Sequence, residues 1–282
     1  MSKAASSGHN LRGCACVAPF PYPVMGPAYQ TNGLPLAIGV SAGGHIGIGT
    51  EQAMPFEVET KDCTSLSDAE LAEMGDLCSE RDPQFEVGFL SKQREEWVLI
   101  THVREGKKLR GYSFCTLERI GGTPSLLVGL ASIDRTAKAE AVLRHLMADQ
   151  YRRALLAFPD EDVLVGTRIA APEGFWAFSG LSDVVPRPGH KASGEERAWA
   201  RRLAKRFGAE SRIDDRTFVL AGDGSTTGAL DHGGPKVSEP ETEVVELLAE
   251  MDAVRGDRLV VFGWAMAEDL ASGKIKASRN GH

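Results

Sequence analysis

The sequence predicts an α/β protein: a mixed central sheet flanked by helices, with a C-terminal extension of further helices and strands. Three observations carry that expectation. A strand pattern at 125–133, a long helical pattern at 136–157 and a second strand pattern at 162–169 follow in the order of a βαβ crossover, which places the two strands parallel in one sheet. Two strand patterns ahead of them, 97–104 and 109–117, join 125–133 in a meander through short glycine turns. Behind them, helix and strand patterns alternate up to Gly273.

Residues 1–53 differ from the rest. Their only charged residues are Lys3, Arg12 and Glu51, and Pro19, Pro21, Pro23 and Pro27 oppose helix because proline lacks the N–H donor. A flexible N-terminal extension is expected there, with Met54 as a candidate start of the folded protein. The run Gly43-Gly44-His45-Ile46-Gly47-Ile48-Gly49 resembles a phosphate loop only in composition. Pro55 follows soon after it, and no apolar helical stripe begins at its glycines.

The first helix is expected over 68–79. Ser67 and Glu70 form a capping box, Leu66 and Leu71 a staple, and Leu71, Met74, Leu77 and Cys78 an apolar stripe. A short helix is expected at 84–93. In strand 97–104, Val98 and Ile100 share a face with His102, while Trp97, Leu99 and Val103 take the other. Gly106 turns the chain into 109–117, and Gly121-Gly122 is a hairpin signal. The apolar run 125–133 suits a strand buried on both faces.

Helix 136–157 buries Leu143, Leu146, Met147 and Leu155, and Pro159 lies just beyond its end. After strand 162–169, Pro172 opens a short helix at 173–178, followed by extended chain at 183–189. The capping box Ser193/Glu196 starts a helix at 194–207 with Trp199, Leu203 and Phe207 on one side. A strand at 216–221, a Gly/Ser-rich mobile loop at 222–237, a helix from the box Ser238/Glu241 through Val254, and a strand at 258–265 complete the expected elements. The expected organisation is an extension (1–53), a core (54–190), a continuation of the same domain (191–272) and a frayed tail (273–282).

Bulk properties narrow the function. The chain has 282 residues, 42% hydrophobic and 25% charged, with a net charge of −7. That balance disfavours nucleic-acid binding, which needs concentrated Lys and Arg. Five cysteines without a dense framework suit reduced thiols and a cytoplasmic setting. The stretch 34–48 is too short and glycine-rich to cross a membrane, and it lacks the basic start of a signal peptide. Cys14-x-Cys16 has neither zinc nor redox spacing, so no metal is expected.

The order of elements from Leu66 to Pro188 is helix, short helix, three antiparallel strands, long helix, parallel strand, short helix. Together with the apolar strand running straight into the long helix, and Pro172 at the start of the short one, it resembles the GNAT superfamily of N-acyltransferases over somewhat under half the chain. The resemblance implies acyl-CoA as co-substrate, held where the family's fourth and fifth strands part, with its pyrophosphate on the following helix N-terminus. The matching residues are Ile133, Arg135, Thr136, Ala137, Lys138 and Ala139. Unpaired N–H donors and the helix dipole favour an anion at such a place. Lys138 and Glu140 stand where the family pattern has small residues.

The implied function is N-acyl transfer to the amine of a small molecule or peptide, with no nucleic-acid or membrane partner and with room for a homodimer. The alternative is a degenerate member that binds a ligand or partner without catalysis. The family often keeps a tyrosine after strand five. The stretch from Pro172 to Trp176 has none, and its Phe175 and Trp176 fit either the core or an apolar substrate pocket. His102, Tyr112 and Glu118 are the catalytic candidates, each also readable as an ordinary strand residue. Cys115 reads as a small buried hydrophobe, Asp214-Asp215 as turn chemistry, and Asp231-His232 as a solvent-exposed pair.

Overall fold

The computed structural model describes residues 55–78, 85–233, 237 and 240–275. The N-terminal extension, the Met54 start, the glycine run 43–49, the Ser238 cap and the end of the tail lie outside the described residues.

The sheet has nine strands among the described residues: β1 (Phe56–Asp62), β2 (Leu99–Glu105), β3 (Lys108–Ile120), β4 (Thr123–Ile133), β5 (Val163–Ile169), β6 (Ser182–Val185), β7 (Val219–Leu220), β8 (Leu230–Asp231) and β9 (Arg258–Ala265). Their order is β1-β2-β3-β4-β8-β5-β9-β6, with β7 also on β9. β1 to β4 are antiparallel neighbours, β4 and β5 are parallel, and β9 is antiparallel to β5. This is a mixed sheet flanked by helices, with the parallel crossover at its centre. β1 was not among the expected strands, although Phe56, Val58 and Thr60 alternate with Glu57, Glu59 and Lys61 at the strand period.

The helices are α1 (Asp68–Cys78), α2 (Val87–Glu96), α3 (Ala139–Ala157), α4 (Gly194–Arg206), α5 (Thr242–Glu246) and α6 (Ala267–Ser272). α1 starts in its capping box, with Glu70 N–H donating to Ser67 Oγ and Ser67 N–H to the Glu70 carboxylate. α3 lays Val142, Leu143, Leu146, Met147 and Tyr151 on one face of the sheet. Its Gln150 donates to Ser113 Oγ at 2.8 Å. α4 covers the opposite face with Trp199, Ala200, Leu203 and Ala204. Leu203 reaches Gly166 of β5, and Trp199 meets Trp264 of β9 edge to face. No described helix is long and apolar enough to cross a membrane.

Four expectations need correction. α3 begins at Ala139 rather than 136, because Thr136 and Lys138 first spend their N–H groups in a turn. The strand at 216–221 shrinks to β7. The helix expected through Val254 stops at Glu246, and bonds of the i to i+3 kind carry the chain onward at Leu247, Leu248 and Ala249. The loop expected at 222–237 contains β8, which lies inside the sheet.

Candidate functional site

β4 and β5 pair directly only from Ser125↔Leu164 to Val128↔Thr167. The next residue, Gly129, is the extra one in β4: β3 pairs Phe114 with Leu130 but Cys115 with Val128. Such a bulge bends its strand. Glycine is required here because a β-carbon would lie 1.9 Å from the Trp97 ring. Thr167 Oγ1 donates to the Val128 carbonyl at 2.6 Å, and Arg168 Nη2 donates to the Gly129 carbonyl at 3.0 Å. Past these contacts the strands part.

The chain's own β8 occupies the parting. Leu230 pairs with Ala131 of β4 and Ile169 of β5, Asp231 pairs with Ser132, and Ala131 N–H donates to the Ala229 carbonyl at 3.1 Å. Gly228 enters so closely that a β-carbon would lie 2.8 Å from the Gly129 carbonyl. The Asp231-His232 pair, expected in solvent, is therefore buried, with His232 1% exposed. Burial lowers the His232 pKa to about 4, against the opposing pull of Glu140 and Asp231. Neither ring nitrogen of His232 has a hydrogen-bond partner.

The turn into α3 closes the mouth of this opening. Arg135 Nη2 reaches Asp231 Oδ1 at 3.5 Å. The Thr136 N–H donates to the Asp134 carbonyl, the Lys138 N–H to Thr136 Oγ1 and the Ala139 N–H to the Thr136 carbonyl. Three donors that the resemblance assigns to pyrophosphate are thus engaged within the turn. The Lys138 ammonium turns away to Glu105, which also holds Arg110. These cations keep the Glu105 carboxyl below its usual range. Ile133, at the end of β4, is buried.

The catalytic candidates separate. His102, Tyr112, Ser132 and Asp231 are successive register partners across β2, β3, β4 and β8, so they form one row leading to the parting. Tyr112 is fully buried, with its hydroxyl 3.1 Å from Cys78 Sγ. His102 lies under α1 with Nε2 3.4 Å from Met74 Sδ, and burial, assisted by Arg104, lowers its pKa to about 4. Glu118 is away from the row: it pairs with Ser125 at the other end of β4 and accepts from Arg206 Nε at 2.7 Å. Burial pushes the Cys115 thiol up to about 12.

Phe175 and Trp176 sit on a 3-10 turn at Pro172–Phe178. With Val184, Pro186, Pro188 and Val244 they line a groove of about 300 Å³. Ser132, Gly129 and Arg168 were missed by sequence reasoning. Lone Ser and Gly residues in the apolar run 125–133 were the available signal for the first two. Among the described residues, no group of three or more His, Cys, Asp or Glu side chains is placed to hold a metal ion.

No family model matches the chain, and no curated protein matches it. Among solved structures, the ribosomal-protein-S18-alanine N-acetyltransferase from Escherichia coli is similar over 49% of this chain and 86% of that one, at 9% identity and a TM-score of 0.32. At that identity and score, nothing about substrate or activity passes from one chain to the other.

Proposed function

We propose that this protein is a GNAT-like, acyl-CoA-dependent N-acyltransferase for an amine of a small molecule or peptide, with its donor cleft filled at rest by residues 229–233. The observation that carries this reading is the parting of β4 from β5 at Gly129. Direct pairing stops at Val128 although β4 runs on to Ile133, and among the described residues the two-residue β8 is the strand that fills the gap. Such a short strand is a weaker filling than continued pairing of the two long ones.

With β8 displaced, Arg135 loses Asp231 and becomes a cation for a phosphate beside the α3 N-terminus. In the transfer, the amine nitrogen bonds the thioester carbonyl carbon, the C–S bond breaks, and the thiolate takes up a proton while the amine gives one up. Tyr112 and Ser132, in the row that ends at Asp231, are the groups we assign to that proton movement. His102 and Glu118 are left with structural roles by their contacts to Met74 and Arg206.

The test is the melting temperature with excess acetyl-, hexanoyl- and palmitoyl-CoA. Donor at a hundredfold over its dissociation constant adds about 2.7 kcal/mol, and Arg135→Glu removes the shift. No shift with any of the three ends the reading. A second reading, a binding or regulatory protein without catalysis, is favoured by the turn that already uses the N–H groups of Thr136, Lys138 and Ala139. Under it, the acyl-CoAs leave the melting temperature unchanged.

A further inference from the structure

Residues 229–232 are buried in the parting, where the Ala229 carbonyl accepts from Ala131 N–H and Asp231 pairs with Arg135, but the strand they form is short. Two residues make ladder pairs, and the approach through Gly222, Gly224 and Gly228 is glycine-rich. Gly222 is clamped, since a β-carbon there would lie 2.0 Å from the Arg255 carbonyl, whereas Gly224 has open space and a left-handed φ of 80°. A pivot is therefore available between the clamp and the plug. At the other end His232 is enclosed with both ring nitrogens unpartnered.

We propose that residues 229–233 are a releasable plug of the β4/β5 opening, and that His232 is its latch, holding the plug in place while the imidazole is uncharged. The identity of the cleft as a donor site rests on the acyltransferase reading, but the latch does not. A buried imidazolium would need partners for two N–H donors, and the packed position supplies none.

The charged groups that act on the ring are Glu140 on α3 and Asp231 on β8; Arg135, in the turn before α3, pairs with Asp231, and the Glu173 carboxylate lies 3.8 Å from the β-carbon position of the neighbouring Gly233. Glu140 and Asp231 favour the imidazolium, yet burial outweighs them. The sign follows. The ring has a lower pKa in the packed state than when released, so the released state binds the extra proton. Acid opens the plug through the window from about 6.5 down to about 4.

Hydrogen exchange of the full chain tests this, with rates corrected for the intrinsic pH effect. Between pH 7.5 and pH 5, opening at 229–233 rises about thirtyfold, and at pH 7.5 these amides already exchange faster than those of β9 at 259–265, which open only with the whole fold. His232→Gln removes the pH response of 229–233. The proposal is overturned by equal protection of 229–233 at the two pH values, by exchange of 229–233 no faster than that of β9, or by an unchanged pH response in His232→Gln. Where that variant does not fold, the comparison of 229–233 with β9 in the wild-type chain decides alone. Acetyl-CoA at pH 7.5 separates the two ideas. Acid-driven opening without any acetyl-CoA effect leaves the latch standing and removes the donor assignment.

Discussion

The guanidinium of Arg168 donates to the carbonyl of Gly129 at 3.0 Å, tying the bulged residue of β4 to β5 where the two strands part. The same guanidinium carbon lies 4.4 Å from the centre of the Phe207 ring, so α4 supports the junction from one face. Trp97 closes it from above Gly129, with its indole N–H on Gln93 at 3.0 Å and Arg206 over its ring at 4.8 Å.

Gly129→Ala forces a methyl group into the Trp97 ring, which Gln93, Arg206 and Phe207 hold in place. Overpacking of this kind costs about 1–3 kcal/mol. A lower urea midpoint with an altered tryptophan emission is the expected outcome. An unchanged midpoint would mean that the indole yields freely.

Ser193→Ala removes one half of the reciprocal cap at α4, where Glu196 N–H donates to Ser193 Oγ at 3.1 Å and Ser193 N–H to the Glu196 carboxylate at 2.6 Å. A lost cap costs about 1 kcal/mol. A thermal melt measures it, and Ser193→Thr should retain most of the stability.

Acid weakens the fold through His102. Burial puts its folded pKa near 4, below its value in the unfolded chain, so the unfolded state binds the extra proton. Stability is therefore full above pH 6.5 and falls as pH drops toward 4, by about 3 kcal/mol for the whole interval. Urea midpoints between pH 6.5 and 4.5 report this before most carboxylates titrate. His102→Gln should remove about half of the slope in that part of the profile and leave the share of His232.

What was legible in the sequence was local. Gly121 and Gly122 do adopt the left-handed φ of a tight turn, at 59° and 91°. The Ser193/Glu196 box closes as its spacing implies, and β9 runs from Arg258 to Ala265 as its pattern indicated. β8 was not legible, because Leu230 and Asp231 are a strand only by virtue of partners a hundred or so positions distant along the chain. The burial of His232 is hidden for the same reason: the parting that encloses it is made by β4 and β5. Of the site, Tyr112 and His102 lie in the polar row, but Glu118 does not. Tyr112 and Glu118 do alternate onto one face of β3, but the length of strand between them sends Tyr112 to Cys78 of α1 and Glu118 to Arg206 of α4.

The overextended helix after Glu241 has a tertiary cause, and it leads to a last prediction. Asp257 is fully buried and accepts from Gly222 N–H at 2.8 Å, Asp252 N–H at 3.0 Å, and Arg255 Nε and Nη2 at 2.7 and 2.6 Å. That carboxylate gathers Gly222 and the turn at Asp252 and Arg255 just ahead of β9, so the segment after Glu246 turns toward Asp257 instead of continuing as a helix. Arg255 and the two amides hold the Asp257 carboxyl well below its ordinary range. Asp257→Asn keeps the shape but removes the charge and turns one acceptor into a donor. Hydrogen bonds to a charged group are worth about 1.5–3 kcal/mol, so a loss of about 2 kcal/mol is expected at pH 7. Because the folded pKa is depressed, that contribution is present above the unfolded value near 3.9 and is lost as pH falls below it. Urea midpoints of wild type and variant should therefore converge between pH 4 and pH 2. Exchange at 222–228 should rise in the variant at pH 7, because the clamp on Gly222 has lost its anchor. A variant that is as stable as wild type at pH 7, with 222–228 equally protected, would show that the Arg255 and Gly222 contacts survive without the charge.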